Sequence, residues 1–219
     1  MSKLRLIPLL LVFLAATATQ PAHQRWEPEI QKFEAADNEK MPAPGGVVFV
    51  GSSSVRLWKV EESFPNANAI NRGFGGSGAA DAAYFADRIV TKYQPRLIVF
   101  YSGENDIAGG KSPQFAVDGF KSFVEKVRAK QPDVPIIFIS MKPSVKRWSM
   151  NEKFTQANEL AQQFIAKQQG ITFVDIRAEM LGADQQPRKE LLRDDMLHMN
   201  EKGYAIWNEK LKPLVEGQK

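Results

Sequence analysis

A chain of 219 residues, 43% hydrophobic and 25% charged, is long enough for one well-buried α/β domain and short for two. Its formal net charge is only +4 and it has no long Lys/Arg block, which argues against nucleic acid as a partner. It contains no cysteine, so disulfides and a lipid-modified cysteine are both excluded and the fold must rest on its core.

The first segment, MSKLRLIPLLLVFLAATATQ, carries Lys3 and Arg5, then an apolar run from Leu6 to Ala16, then a small-x-small signal at Ala16-Thr17-Ala18. This is the pattern of a secretory signal peptide over 1–18, and the run is short for a membrane span. Cleavage after Ala18 would remove Lys3 and Arg5 and lower the net charge from +4 to +2. The expectation is a single domain over 19–219, exported to the periplasm or the exterior, with no stable membrane association after cleavage. His23, close to the cleavage point, is expected in a mobile terminus.

WEPEIQKFEAA at 26–36 reads as an amphipathic helix with Trp26, Ile30 and Phe33 on one side, broken by MPAPGG at 41–46. Apolar runs follow at VVFV (47–50), ANAI (67–70), RLIVFY (96–101), PIIFIS (135–140) and ITFVD (171–175). They do not alternate, which suits strands buried on both faces of a parallel sheet. Helical periodicity lies between and after them, at about 79–92, 113–130, 150–169 and 201–215. Ser112-Pro113 marks a helix start, Gly170 a helix stop, and Asn200 can cap the last helix. That helix carries the stripe Tyr204, Trp207, Leu211 and Leu214. Strand and helix in alternation predict right-handed crossovers and a three-layer α/β/α sandwich around a parallel sheet of about five strands, with the core over about 46–215. Such sheets place their sites at the carboxyl ends of the strands.

The strand ends carry chemistry. Gly51-Ser52-Ser53-Ser54 follows the first, Asn71-Arg72-Gly73-Phe74-Gly75-Gly76-Ser77 the second, Gly103-Glu104-Asn105-Asp106 the third, and Asp194-Asp195-Met196-Leu197-His198 comes after the last. A serine, a glycine-rich backbone, an amide and an Asp/His pair are the parts of nucleophilic acyl transfer. The chain has two histidines, and only His198 is placed to be a base. Asp195, three residues upstream, can reach its imidazole and fix the tautomer. Asn105 can donate to an oxyanion, which Asp cannot, and Gly76 lets a backbone N–H approach closely. No GxxxxGK[ST] loop or nucleotide fingerprint is present.

These blocks, FVGSSS, NRGFGGS, GEND and DMLHMNEKGY, resemble those of the SGNH, or GDSL-like, serine hydrolase family, over about Val47 to Tyr204. The resemblance implies a flavodoxin-like α/β/α fold and no metal or organic cofactor. It implies a nucleophile at Ser53, a triad completed by Asp195 and His198, and an oxyanion hole from the Ser53 and Gly76 N–H groups and the Asn105 side chain. Three positions depart from the family pattern: Ser52 where Asp is common, Ser77 where many members have Asp, and Met199 where many have Pro.

The reading is an exported ester hydrolase acting on a small-molecule or glycan ester, with O-acetyl groups of glycans as one substrate class. A lysophospholipase or thioesterase is an alternative, and a non-catalytic anion- or glycan-binding domain is an alternative of another class. In the anion-binding reading Arg56, Arg72, Lys142 and Arg147 would assist, although for Lys142 surface exposure or pairing with a carboxylate is preferred. Arg56, Arg72, Glu104, Arg147 and Trp148 are candidate substrate contacts, and Trp58 and Trp148 are alternatively packing residues. Ser52 is expected to brace the loop and Ser54 to be an ordinary helix-start residue.

Overall fold

The computed structural model describes residues 23–217. The segment read as a signal peptide lies outside them. Among the described residues, no helix is long and apolar enough to cross a membrane.

In chain order the helices and strands are α1 (Glu27–Glu39), β1 (Val47–Gly51), α2 (Ser53–Arg56), α3 (Val60–Ser63), β2 (Ala69–Gly73), α4 (Ala79–Ile89), β3 (Leu97–Tyr101), α5 (Glu104–Ala108), α6 (Pro113–Lys130), β4 (Ile136–Ile139), α7 (Asn151–Ile165), β5 (Ile171–Val174), α8 (Arg177–Met180) and α9 (Glu201–Glu216). The five strands form one parallel sheet in the order β2-β1-β3-β4-β5. This is the expected three-layer α/β/α sandwich with a flavodoxin-like sheet. Chain order reverses between β1 and β3, so the crevice above their carboxyl ends is the natural site.

The absence of alternation in the apolar runs has its cause in two cores. Val48, Val50, Ile98, Phe100, Ile136 and Phe138 face α4, α6 and α7. Their neighbours Val47, Phe49, Leu97, Val99, Ile137 and Ile139 face the side closed by Trp207 and Leu211 of α9. Both faces are dry, so every position of β1 and β3 is apolar or glycine. Trp58 belongs to this second core, against Phe49, Phe64, Tyr204 and Trp207, and is a packing residue.

Element ends follow local chemistry. Ser112 accepts from the Phe115 N–H at the start of α6, and Asn200 accepts from Lys202 and Gly203 at the start of α9. The α7 helix stops at Ile165 rather than running to Gly170, which lies in the turn before β5 at φ +69°. The second strand starts two residues later than its apolar run suggests, because it extends through Asn71-Arg72-Gly73.

His23 does not lie loose. Its Nδ1 is 2.7 Å from Asp81 Oδ1, and its ring stacks on Tyr84 at 4.4 Å. Asp81 also accepts from the Gly78 N–H at the start of α4, so one carboxylate caps a helix and anchors the chain before α1.

Candidate active site

The site begins with the geometry of Gly51. Its φ is +152°, and a Cβ there would lie 1.8 Å from the Tyr101 carbonyl oxygen. Only glycine lets the chain leave β1 so close to β3. The Ser52 N–H then donates to that carbonyl at 3.1 Å, and the Ser52 carbonyl accepts from Val55 and Arg56. Ser52 therefore fixes the turn through its backbone, and Ser53 becomes the first residue of α2. Ser54 is buried, and its carbonyl accepts from the Tyr204 hydroxyl at 2.8 Å. Of the three serines, only Ser53 lines a cleft, one of about 450 Å³.

His198 Nε2 lies 2.9 Å from Ser53 Oγ, across 145 positions of sequence, and His198 Nδ1 lies 2.5 Å from Asp195 Oδ2. The other Asp195 oxygen accepts from the Leu197 and His198 N–H groups, each at 2.9 Å. Burial pushes the Asp195 carboxyl up, but the His198 side chain and these two N–H groups outweigh it and hold the carboxyl well below the usual carboxylate range. The turn passes through Met196 at φ +55°, a left-handed conformation that costs a residue with a Cβ on the order of 1 kcal/mol. It is held by Met196 N–H to the Arg193 carbonyl and by Lys146 N–H to the Met196 carbonyl. Met199, just beyond, is fully buried in the second core.

Gly76 has φ +78°, again a glycine conformation, and the Trp26 ring stands 3.0 Å from where its Cβ would be. Asn105 Nδ2 donates to the Ser77 carbonyl at 3.0 Å, and Arg147 Nη2 donates to Asn105 Oδ1 at 2.8 Å. Because a guanidinium only donates, Arg147 settles which end of the amide is oxygen. The amide is pinned at both ends, and one Nδ2 hydrogen is left over. Asp106, the last residue of the GEND block, accepts from the Ala79 N–H at the start of α4. Asn71 donates to the Val55 and Trp58 carbonyls and ties the second block to the first.

Structure thus brings Ser53, Gly76, Asn105, Arg56, Arg147 and His198 around one cleft, with Asp195 behind the imidazole. Three other candidates lie elsewhere. Arg72 is buried and turned to the far side, where its guanidinium pairs with Asp37 at 2.6 Å and donates to the Tyr93 hydroxyl at 2.7 Å. It fastens α1 to the edge strand. Glu104 is buried against Lys142, Nζ 3.3 Å from both carboxylate oxygens, and accepts from the Tyr101 hydroxyl at 2.5 Å. Lys142 therefore pairs with a carboxylate, as preferred. Trp148 lines an adjacent cleft of about 620 Å³ with Val145, Pro187 and Arg188.

Sequence reasoning missed Arg25 and Trp26, which form a wall of the site's cleft together with Pro28 and Glu29. No local pattern announces them, because their place depends on how α1 docks. Among the described residues, no group of three or more His, Asp or Glu side chains is arranged to hold a metal ion.

Comparison with known proteins agrees with this fold. No curated protein sequence matches the chain. A Streptococcus pneumonia protein linked by name to platelet activating factor superposes with a TM-score of 0.78 at 21% identity, covering 88% of this chain and 94% of its own. A GDSL-like lipase from Bacteroides thetaiotaomicron gives 0.71 at 22% identity, covering 90% and 98%. A carbohydrate esterase family 3 protein from Talaromyces cellulolyticus gives 0.62 at 20% identity, covering 80% and 100%. Residues 53–206 match the model of the GDSL-like lipase/acylhydrolase family, so the chain belongs to that family and is a hydrolase of esters.

Proposed function

We propose that the chain is an exported serine esterase that removes small acyl groups, such as O-acetyl groups of glycans, through an acyl-enzyme on Ser53. The observation that carries this is the line from Ser53 Oγ to His198 Nε2 at 2.9 Å and from His198 Nδ1 to Asp195 at 2.5 Å. Ser53 Oγ attacks the ester carbonyl carbon while its proton passes to His198 Nε2. The tetrahedral oxyanion is met by the Ser53 and Gly76 N–H groups, which donate to no backbone carbonyl among the described residues, and by the free Nδ2 hydrogen of Asn105. The intermediate collapses as His198 returns the proton to the departing alkoxide. Water, deprotonated by His198, then releases the acid and restores Ser53. Asp195 stays ionised and steadies the imidazolium.

The small-acyl reading rests on the lining of the cleft. Among its lining side chains only Trp26, Pro28 and Leu197 are apolar. That is too little apolar surface to bury a long acyl chain. The export reading rests on the charge and apolar pattern of residues 1–18. A fluorophosphonate probe is expected to label the protein once, at Ser53, and short-chain 4-nitrophenyl esters to be hydrolysed faster than long ones. An unlabelled Ser53 in folded protein would sink the reading.

Arg147 is a positioning residue in this scheme. It holds Asn105 Oδ1, turns the donating end of the amide into the cleft and, as a cation, makes that amide a stronger donor. Arg147→Met is expected to lower kcat by on the order of 10-fold or more with KM nearly unchanged, against about 10²–10³ for Asn105→Ala. The effect of Arg147→Met should vanish in the Asn105→Ala background. Equal losses in both backgrounds would show that Arg147 acts by another route.

A further inference from the structure

The cleft that holds Ser53 is lined by three guanidinium groups, those of Arg25, Arg56 and Arg147. In a chain whose net charge is only +4, this is a local concentration of charge and not a reflection of the whole. The one carboxylate in the lining, Glu29, is already 2.7 Å from Lys32 Nζ. Arg147 has a task on Asn105. Arg25 and Arg56 have none that matches it.

Arg56 lies one helical turn after Ser53 on α2, so the two side chains leave the same face. Its guanidinium rests over Gly75, where a Cβ would come within 3.0–3.1 Å of Nε, Cζ and Nη2. The glycine therefore leaves the room that the guanidinium occupies. Among the described residues Arg56 makes no ion pair. Arg25 stacks over the Trp26 ring at 4.5 Å, and its nearest acid, Asp81, is 3.9 Å away and already engaged by His23 and the Gly78 N–H. Two planar donor forks thus border the reacting serine with their hydrogen-bonding capacity open. Such forks match the paired oxygens of a carboxylate or phosphate.

We propose that the ester taken by this cleft carries a negatively charged group, a carboxylate or phosphate, bound by Arg56 and Arg25. The proposal rests on the esterase reading of the same cleft and names its substrate class: acyl esters of acidic compounds. Neutral esters react at the same serine with less binding.

The test uses the full chain and matched ester pairs. With the charge on the alcohol side, 3-acetoxybenzoate is compared with methyl 3-acetoxybenzoate, and 3-acetoxyphenyl phosphate stands for the phosphate. With the charge on the acyl side, mono-4-nitrophenyl adipate is compared with its methyl ester. The charged member of at least one pair is expected to have a kcat/KM about tenfold higher or more, the scale of one charge-assisted contact. That preference should shrink as salt is raised. It should collapse toward one in the Arg25→Gln/Arg56→Gln double variant and survive in part in Arg56→Lys. Hydrolysis with no preference for charge, or a preference that the double variant keeps, overturns the proposal alone. Failure to hydrolyse any of the esters overturns the esterase reading and the proposal with it.

Discussion

Ser53→Ala and His198→Ala are each expected to lower kcat by on the order of 10⁴–10⁶, and the double variant should be no worse than the poorer single one. The reason is that in the proposed mechanism the two groups act as one unit. The hydroxyl is a weak nucleophile until Nε2, 2.9 Å away, takes its proton, and the imidazole has nothing to deprotonate once the hydroxyl is gone. Residual activity in each variant would come from the oxyanion donors and binding alone. Ser52→Ala and Ser54→Ala should stay within about tenfold of the parent, since neither side chain lines the cleft. The pH profile adds an independent reading. A protonated imidazole cannot accept the Ser53 proton, so activity falls as pH is lowered. Asp195 is held below the usual carboxylate range and stays ionised through that fall, so log kcat/KM should drop with unit slope. Near-parent turnover by Ser53→Ala, with loss in Ser52→Ala or Ser54→Ala, would place the nucleophile elsewhere in the turn.

Much of this site was legible because its chemistry comes in short blocks after strands. The non-alternating runs gave away a sheet covered on both faces, and a sheet of that kind puts its blocks at one edge. His198 could be singled out because the chain has two histidines and only one has an aspartate three residues before it. What sequence could not supply was side-chain direction. Arg72 and Glu104 sit inside functional blocks, yet both turn away from the cleft, Arg72 to Asp37 and Glu104 to Lys142. Each sits beside a residue that serves the site or braces it, and one step reverses a side chain on a strand such as β2 and turns it by about 100° on a helix such as α5. Trp148 follows Arg147 directly but opens a short helical turn, and it falls in the neighbouring cleft. Arg25 and Trp26 were out of reach for another cause. They reach the cleft only because α1 packs against α4, and because His23 and Asp81 fasten the chain before it. His23, placed by its position near a terminus, was misjudged on the same point: a terminus is loose only when nothing ties it down.

Lys142→Met should lower stability by about 3–5 kcal/mol, because it strands a buried carboxylate without its cation. The side chains of Lys142 and Glu104 are 1% and 4% exposed, so water cannot replace the lost partner. Tyr101 can still donate its one hydroxyl hydrogen, which leaves the other Glu104 oxygen unserved. In a domain of this size the loss corresponds to a fall in Tm of about 6–20 °C. Glu104→Gln with lysine retained strands the opposite charge and should be similarly costly. The Glu104→Gln/Lys142→Met double variant removes both charges, and it should recover more than half of either loss, the sign of direct coupling. The pair also bears on catalysis. Glu104 immediately precedes Asn105 on α5, so a shift of the carboxylate moves the backbone that carries the proposed oxyanion donor. Each single variant should therefore lose kcat as well as stability, while fluorophosphonate labelling of Ser53 slows but stays at that residue. Single variants that melt with the parent would show that the pair is not coupled and that the start of α5 is held by the contacts of Asn105 and Asp106 instead.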